Sequence, residues 1–273
     1  MKRLLSRKPK HHPLRDCLQV IGAVVVGALL LKIFVLDAVY IPSRSMERTL
    51  LPGDFVIVSK LVNGTGTSSH SPFAQAGFPF FTLPSLKQIG RGDVVVFEFP
   101  EDYESNQKSL YFVKRCVALS GDVVRIDDGK LFINGELVNH YRAHESDFGP
   151  IRIPKKGDII ALSDQTYAEW SDIIRREGHT IEQFSSAGFL IDGKPATHYR
   201  VEKDYFFVLG DNLNESYDSR SWGFLPVENV VGKAIIVYWS MDPSSRHGVV
   251  DRLSSIRWNR IGTLISQQES FRQ

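Results

Sequence analysis

One segment limits every fold open to this chain: CLQVIGAVVVGALLLKIFVL, Cys17 to Leu36. Its apolar core runs from Val20 to Leu31, and Lys32 interrupts it before four more apolar residues. Twenty helical residues rise about 30 Å, the thickness of a bilayer's hydrocarbon core. Lys32 lies near one end, where its stem stays in lipid while the ammonium reaches the headgroups. The segment reads as a transmembrane anchor.

Charge orients it. Lys2, Arg3, Arg7, Lys8, Lys10 and Arg15 all precede the first acid, Asp16. Basic flanks stay cytoplasmic, so everything after Leu36 is expected on the far side. Of the 33 Lys and Arg, those six leave the remainder outnumbered by 31 Asp and Glu. A nucleic-acid binder would carry its basic charge on the folded part, so that class is excluded. A cleaved signal peptide also starts basic and then apolar, but KIFVLDAVY sets bulky Leu36 two positions before Ala38, a poor cleavage site. The anchor is expected to remain uncleaved; a buried core helix is the remaining alternative.

Beyond it come short β-branched and aromatic runs: DFVIVSK, GDVVVFEFP, LYFVKRCVAL, DVVRIDDGKLFINGELV, KDYFFVLGDN and VVGKAIIVYWSM. Gly-Asp and Asn-Gly pairs punctuate them, and DDGK and NGE suit tight hairpin turns. The expected fold is mostly β: an N-terminal transmembrane helix, then an antiparallel β-sheet domain with an inserted α/β lobe. The divisions are a cytoplasmic basic tail over 1–16, the anchor over 17–36, and a first part of the β core over 37–139. The lobe follows over 140–200, then the second part of the core with a C-terminal tail over 201–273. Within the lobe, residues 162–184 read as helix, capped by Ser163 or Asp164, with Tyr167, Trp170, Ile173 and Ile174 near one face. Residues 63–90 start with a flexible composition but continue FAQAGFPFFTLPSL. There Phe78, Phe80, Phe81 and Leu83 are expected to tuck into the core, or else to rest on the membrane. Cys17 at the membrane edge and Cys116 in a predicted strand are expected unpaired, with Cys116 buried as a small apolar residue.

The stretch VYIPSRSMERTLLPGDFVIVSK, residues 39–60, sets Ser43 and Ser45 between the apolar segment and a strand. Serine is a weak nucleophile until a base takes its proton and donors await the oxyanion. None of the histidines (His11, His12, His70, His140, His144, His179, His198, His247) sits in a strand-end or glycine-rich setting typical of a catalytic group. No G-x-S-x-G elbow occurs. His140 and His144 have no companion ligand, so neither metal nor cofactor is expected. Lys114, in YFVKRCVALSGD, is the more informative base. It lies inside an apolar strand, with Phe112 and Cys116 on its face and Val113 on the other. Lysine in water titrates at about 10.4, and burial lowers this by as much as roughly 3–5 units. A buried Lys114 is then a neutral amine able to accept the Ser45 proton. A strand lysine that snorkels or pairs with an acid is the plainer alternative.

Four ordered blocks follow the apolar segment: PSRSMERTLLPGDFVIVSK, GDVVVF, YFVKRCVALSGD and GDNLNESYDSRSWG. In that order they resemble the type I signal peptidases (leader peptidases), bacterial membrane serine proteases with a Ser/Lys dyad. With the anchor and the hairpin KLFINGEL, the similarity covers most of residues 17–240. The resemblance implies that the β-sheet domain is catalytic, with Ser45 the nucleophile and Lys114 the general base and then general acid. Ser43 would supply an oxyanion-hole hydroxyl beside the Ser45 N–H, Met46 would cover the dyad, and Ser216 would orient the lysine amine. Asp218 and Arg220 would support the site from behind, and Gly210, Asp211 and Asn212 would form the turn that presents Ser216. Val39, Ile41, Pro42 and Val113 match positions lining shallow pockets for the small residues first and third before the cut. Ordinary core packing is the other reading of those four.

The implied activity is cleavage of N-terminal signal peptides from exported preproteins after Ala-x-Ala. The implied setting is a single-pass protein of the inner (cytoplasmic) membrane, N-terminus cytoplasmic and catalytic domain extracytoplasmic. Implied partners are the preproteins, the lipid bilayer and the protein-export machinery, with no nucleic acid and no cofactor. Three departures stand out: Arg48 where the family commonly has proline, and Ala118 and Ser120 where it has glycine and then proline. Arg48 and Ala118 motivate an alternative, a catalytically impaired homologue that binds signal peptides as a membrane-tethered module. A self-cleaving repressor-type protease shares the chemistry, but residues 1–38 supply an anchor where it would need a DNA-binding domain.

Overall fold

The computed structural model describes residues 13–62, 88–100, 111–142, 147–185, 188–244, 251, 253–266 and 271. The expectations for Phe78, Phe80, Phe81 and Leu83 lie outside the described residues. Helix α1 covers Pro13–Phe34. Leu36 does not close this helix, as the sequence suggested, but opens strand β1, Leu36–Tyr40. Pairing captures the chain there: the Lys60 N–H donates to the Val35 carbonyl at 2.8 Å, and Lys60 Nζ meets Asp37 at 2.9 Å. Among the described residues no helix is long and apolar enough to cross a membrane.

The chain continues through β2 (Asp54–Ser59), β3 (Val94–Glu98) and β4 (Tyr111–Ala118). Next come β5 (Val123–Asp127), β6 (Lys130–Ile133), β7 (Glu136–Arg142), β8 (Phe148–Arg152) and β9 (Ile159–Ala161). Helix α2 (Asp164–Arg176) precedes β10 (Ile181–Ser185), β11 (Gly188–Ile191), β12 (Lys194–Ala196) and β13 (His198–Arg200). The last elements are β14 (Tyr205–Leu209), the short α3 (Ser219–Trp222), β15 (Leu225–Pro226) and β16 (Val230–Ser240). A seven-stranded antiparallel sheet runs β1-β2-β16-β3-β4-β14-β15, and a four-stranded one runs β7-β6-β5-β8. The fold is mostly β, as expected.

Side-chain periodicity explains the layers. In β2, Val56 and Val58 are buried while Phe55 and Ile57 are half-buried, the period of two that gives a strand one inward face. Strand β14, YFFVL, is buried throughout because both faces are covered. Tyr205, Phe207 and Leu209 join Val124, Ile126 and Leu131 of the four-stranded sheet, while Phe206 and Val208 pack with Cys116 and Trp222. The β5–β6 and β6–β7 hairpins turn through Asp128-Gly129 and Asn134-Gly135, with φ of 49°, 68°, 54° and 87°. Positive φ at both central residues is what the two-residue primed turn requires. Residue 140, where the lobe was expected to begin, falls inside β7.

The helix expected over 162–184 is shorter. Ser163 caps α2 in a reciprocal box with Thr166. The chain leaves the helix at Glu177, and Gly178 adopts φ +95°. After Thr180, Ile181 begins the pairing of β10 with β11. A left-handed glycine and β-branched neighbours end the helix where the apolar pattern alone would continue it. Ile173 and Ile174 are buried, Tyr167 stacks on Phe189, and Trp170 stacks on Phe224.

Candidate active site

Ser45 sits in a tight turn between β1 and β2. The Thr49 and Leu50 N–H groups both donate to the Met46 carbonyl, at 2.8 and 2.6 Å, and Glu47 N–H donates to the Arg44 carbonyl at 2.9 Å. Exposed Arg48 lies inside this turn, whose hydrogen bonds form without a proline. Ser45 is 6% exposed. Its Oγ lies 3.4 Å from Ser43 Oγ, while its backbone N–H makes no hydrogen bond among the described residues. Met46 is buried with Ile41, Leu50 and Val56, and Val113 packs against that cluster. Pro42 is exposed and Val39 half-buried. The structure therefore groups Ile41, Met46 and Val113, and leaves Val39 and Pro42 outside the cluster.

Lys114 is opposite Val95 in the β3–β4 ladder, and Arg115 opposite Val94. Val95 and Cys116 belong to one apolar cluster, with Phe112 packed against it, and Val94 to another. Lys114 and Arg115 thus face opposite sides of the sheet. Lys114 is 3% exposed and forms no hydrogen bond or ion pair with any described residue. Burial holds its amine down to about 8; Asp218 and Asp211 pull it upward, and Arg220 adds to the lowering.

Gly210 is the meeting point. Strand β14 pairs Val208 with Cys116 and Leu209 with Arg115, so the next residue, Gly210, comes level with Lys114. A Cβ on Gly210 would overlap Ser216 Oγ and would lie 2.6 Å from both Ser216 Cβ and the Ser45 carbonyl oxygen. Asn212 N–H donates to that same carbonyl at 3.0 Å. The Ser45 turn, the Ser216 side chain and the Lys114 strand all converge on a residue that has no side chain. Ser216 Oγ is buried without a hydrogen-bond partner among the described residues. No hydrogen bond joins Ser45 Oγ to Lys114 Nζ.

Two ion pairs frame this centre. Fully buried Asp218 accepts from Gly210 N–H at 3.1 Å and from Arg220 Nε at 2.8 Å. Arg220 also donates to the Leu213 carbonyl at 2.7 Å, so the pair ties the start of the 210–216 loop to its middle. The second pair was not anticipated. Arg115 donates to both Asp211 oxygens, at 2.8 and 2.6 Å, to Thr49 Oγ1 at 2.7 Å and to the Gly92 carbonyl at 2.6 Å. It links the serine turn, the lysine strand and the glycine loop. A second cation in an apolar strand, facing away from Lys114, was the signal for it, because a buried guanidinium requires a carboxylate.

The departures are accommodated. Ala118 lies inside β4 and is not among the residues with positive φ. Ser120 Oγ donates to the Tyr205 carbonyl at 2.8 Å and accepts from Tyr205 N–H at 3.1 Å, joining the end of β4 to β14. Cys17 and Cys116 are both free, and burial pushes the Cys116 thiol well up, which makes it inert as a nucleophile. Among the described residues no cluster of His, Cys, Asp and Glu could hold a metal ion.

A buried serine turn and a strand with a buried amine thus meet at one glycine. A family model described as "Signal peptidase, peptidase S26" matches residues 14–239, and the chain belongs to that family. A signal peptidase I of Pseudomonas aeruginosa is 31% identical over 83% of this chain and 76% of that protein. One from Leptolyngbya laminosa is 30% identical over 87% of this chain and 85% of its own length. A solved signal peptidase I from Enterococcus faecalis V583 is 23% identical and covers 55% of this chain, with a TM-score of 0.27, too poor an overlay to bear on the fold.

Proposed function

We propose that this enzyme cleaves N-terminal signal peptides from exported preproteins after small residues, with Ser45 as nucleophile and Lys114 as general base. The observation that carries the reading is Lys114 itself, buried, unpaired and held down to about 8, level with the glycine that the Ser45 carbonyl touches. A neutral amine takes the Ser45 proton as its Oγ attacks the scissile carbonyl, and later returns a proton to the departing amine. The Ser45 N–H and the Ser43 hydroxyl receive the oxyanion. Neither the Ser216 hydroxyl nor the Lys114 amine has a hydrogen-bond partner among the described residues, and a bond between them would orient the amine without an opposite charge to raise its pKa. Catalytic contacts are often loose before substrate binds and tighten in the complex, which accommodates the missing Ser45–Lys114 hydrogen bond.

Ile41 and Val113 would bound the pockets that reject large side chains by overlap, with Pro42 and Val39 at their rim and Met46 behind. The apolar segment Cys17–Leu36, preceded by the six basic residues within 1–16, would hold the chain at the inner membrane with the β domain outside, where exported chains emerge. Ala118 in an unstrained strand removes one motive for an impaired binding module. The test is cleavage of a preprotein carrying Ala-x-Ala by wild type, Ser45→Ala and Lys114→Ala, with the product mass measured. Loss of cleavage in both variants with unchanged folding is expected; full residual cleavage in either would overturn the dyad.

A further inference from the structure

On the dyad reading, the two sides of the site have different neighbours. Ser45 attacks the carbonyl, and Lys114 must pass its proton to the leaving amine. The chain after the cut therefore departs past the lysine. An aromatic strip lies on that side. Phe112, two positions before Lys114 on the same strand face, packs against Phe99 with ring centres 4.8 Å apart. The Phe99 ring is 6.0 Å from Tyr217, and Trp222 backs it edge-on at 5.5 Å. Tyr217 follows Ser216 directly and is 52% exposed. The strip starts beside the amine and ends in solvent.

The core does not need this outer end. Trp222, Phe97 and Val208 already close the cluster beneath it, and the Tyr217 hydroxyl makes no hydrogen bond among the described residues. Its backbone is held on one side by the buried Asp218, paired with Arg220. A rigidly mounted, half-exposed tyrosine offers large contact area at a small entropic cost. Its occupant follows from continuity, since the strip adjoins Lys114 at one end and Ser216 at the other. We infer that Phe112, Phe99 and Tyr217 form a subsite for the mature side of the substrate, receiving an apolar or aromatic side chain at the first or second residue after the cut. The subsite rests on the Ser45 and Lys114 roles proposed above.

Three peptides identical through Ala-x-Ala test it, with Phe at the first position after the cut, Phe at the second, or Gly at both. For wild type, at least one Phe peptide is expected to show a kcat/KM about 10-fold above the Gly peptide, mainly through KM, a discrimination typical of apolar subsites. Tyr217→Ala should bring that ratio close to one, and Tyr217→Phe should keep it. Equal kcat/KM for all three peptides, or a preference that survives both Tyr217→Ala and Phe99→Ala, overturns the subsite and leaves the dyad standing. No cleavage of any peptide by wild type would instead sink the dyad reading, and the subsite with it.

Discussion

Arg115 and Asp211 form a two-pronged ion pair in which each side chain is only 1% exposed. The pair joins β4 to the loop after β14, while the adjacent Lys114, turned to the other face, forms no ion pair with any described residue and feels Asp218 and Asp211 only at longer range. One strand thus carries a cation held in a direct ion pair and a cation outside any ion pair among the described residues. Removing one partner of a buried pair strands the other charge, at a cost of roughly 3–5 kcal/mol. Asp211→Ala is expected to lower the unfolding free energy by that amount, read from the shift in the urea midpoint, while an Arg115→Met/Asp211→Leu double variant recovers most of it. Equal stability of Asp211→Ala and wild type would refute the structural role.

Gly210 makes a sharper demand on space. A methyl group there meets Ser216 Oγ, Ser216 Cβ and the Ser45 carbonyl oxygen, and side-chain rotation moves neither the Cβ nor the backbone oxygen aside. A displacement of about 1 Å at a reacting group costs roughly 100-fold in rate. Gly210→Ala should therefore lose about that much in kcat on a cleavable preprotein. Wild-type kcat would show that the three groups need not be held so close.

Lys114 should set the pH dependence. With its amine held down to about 8 by burial, kcat/KM should rise about tenfold per pH unit below that value and level off above it. The sign for stability follows from linkage. Below about 8 both folded and unfolded chains carry the proton, so the cost of burying the charge is fully present. It is relieved as pH rises from there to the free-lysine value of about 10.4, where both states are neutral. Lys114→Met should abolish cleavage yet raise stability at pH 7 by roughly 3 kcal/mol. A pH-independent rate between 6 and 9, measured on a slow peptide so that chemistry limits, would exclude a lysine base on roughly this scale.

How much of this was legible depended on range. Two-residue alternation put Lys114 with Phe112 and Cys116, and the structure keeps those three on one face. The Asn-Gly and Asp-Gly hairpins were equally local, and their turns carry the positive φ that those residues favour. The Arg115 network was hidden because its contacts span 66 and 96 positions. They exist only because β14 lies beside β4, and hydrophobic period does not encode strand order. The end of α2 was misread for a related reason. Apolar spacing continues past Glu177, but the left-handed Gly178 and the pairing of β10 with β11 override it. Gly210 looked like a turn former, and its closeness to Ser45 and Ser216 emerges only from the three-dimensional packing.

The final prediction concerns residues beyond the 14–239 family match. Arg260 reaches back to the serine turn, donating to the Thr49 carbonyl at 3.0 Å and to the Asp54 carboxylate. Ser240 Oγ also donates to Asp54, at 2.7 Å. Burial opposes ionisation of Asp54, but the bonds from Arg260, Leu51 N–H and Ser240 outweigh it and hold the carboxyl below its usual range. A carboxyl depressed on folding contributes stability above its unfolded pKa of about 3.9 and loses it as pH falls through the lower, folded value. Arg260→Ala removes the guanidinium and leaves burial dominant, so Asp54 should protonate more readily and acid unfolding should begin at higher pH. Because the same arginine holds the Thr49 carbonyl, four residues after Ser45, kcat should fall with little change in KM. Asp54→Asn in the same background should add little further loss, since the two side chains act as one unit. An unaltered acid-unfolding curve and an unaltered kcat for Arg260→Ala would show that the C-terminal segment merely lies against the turn that carries Ser45.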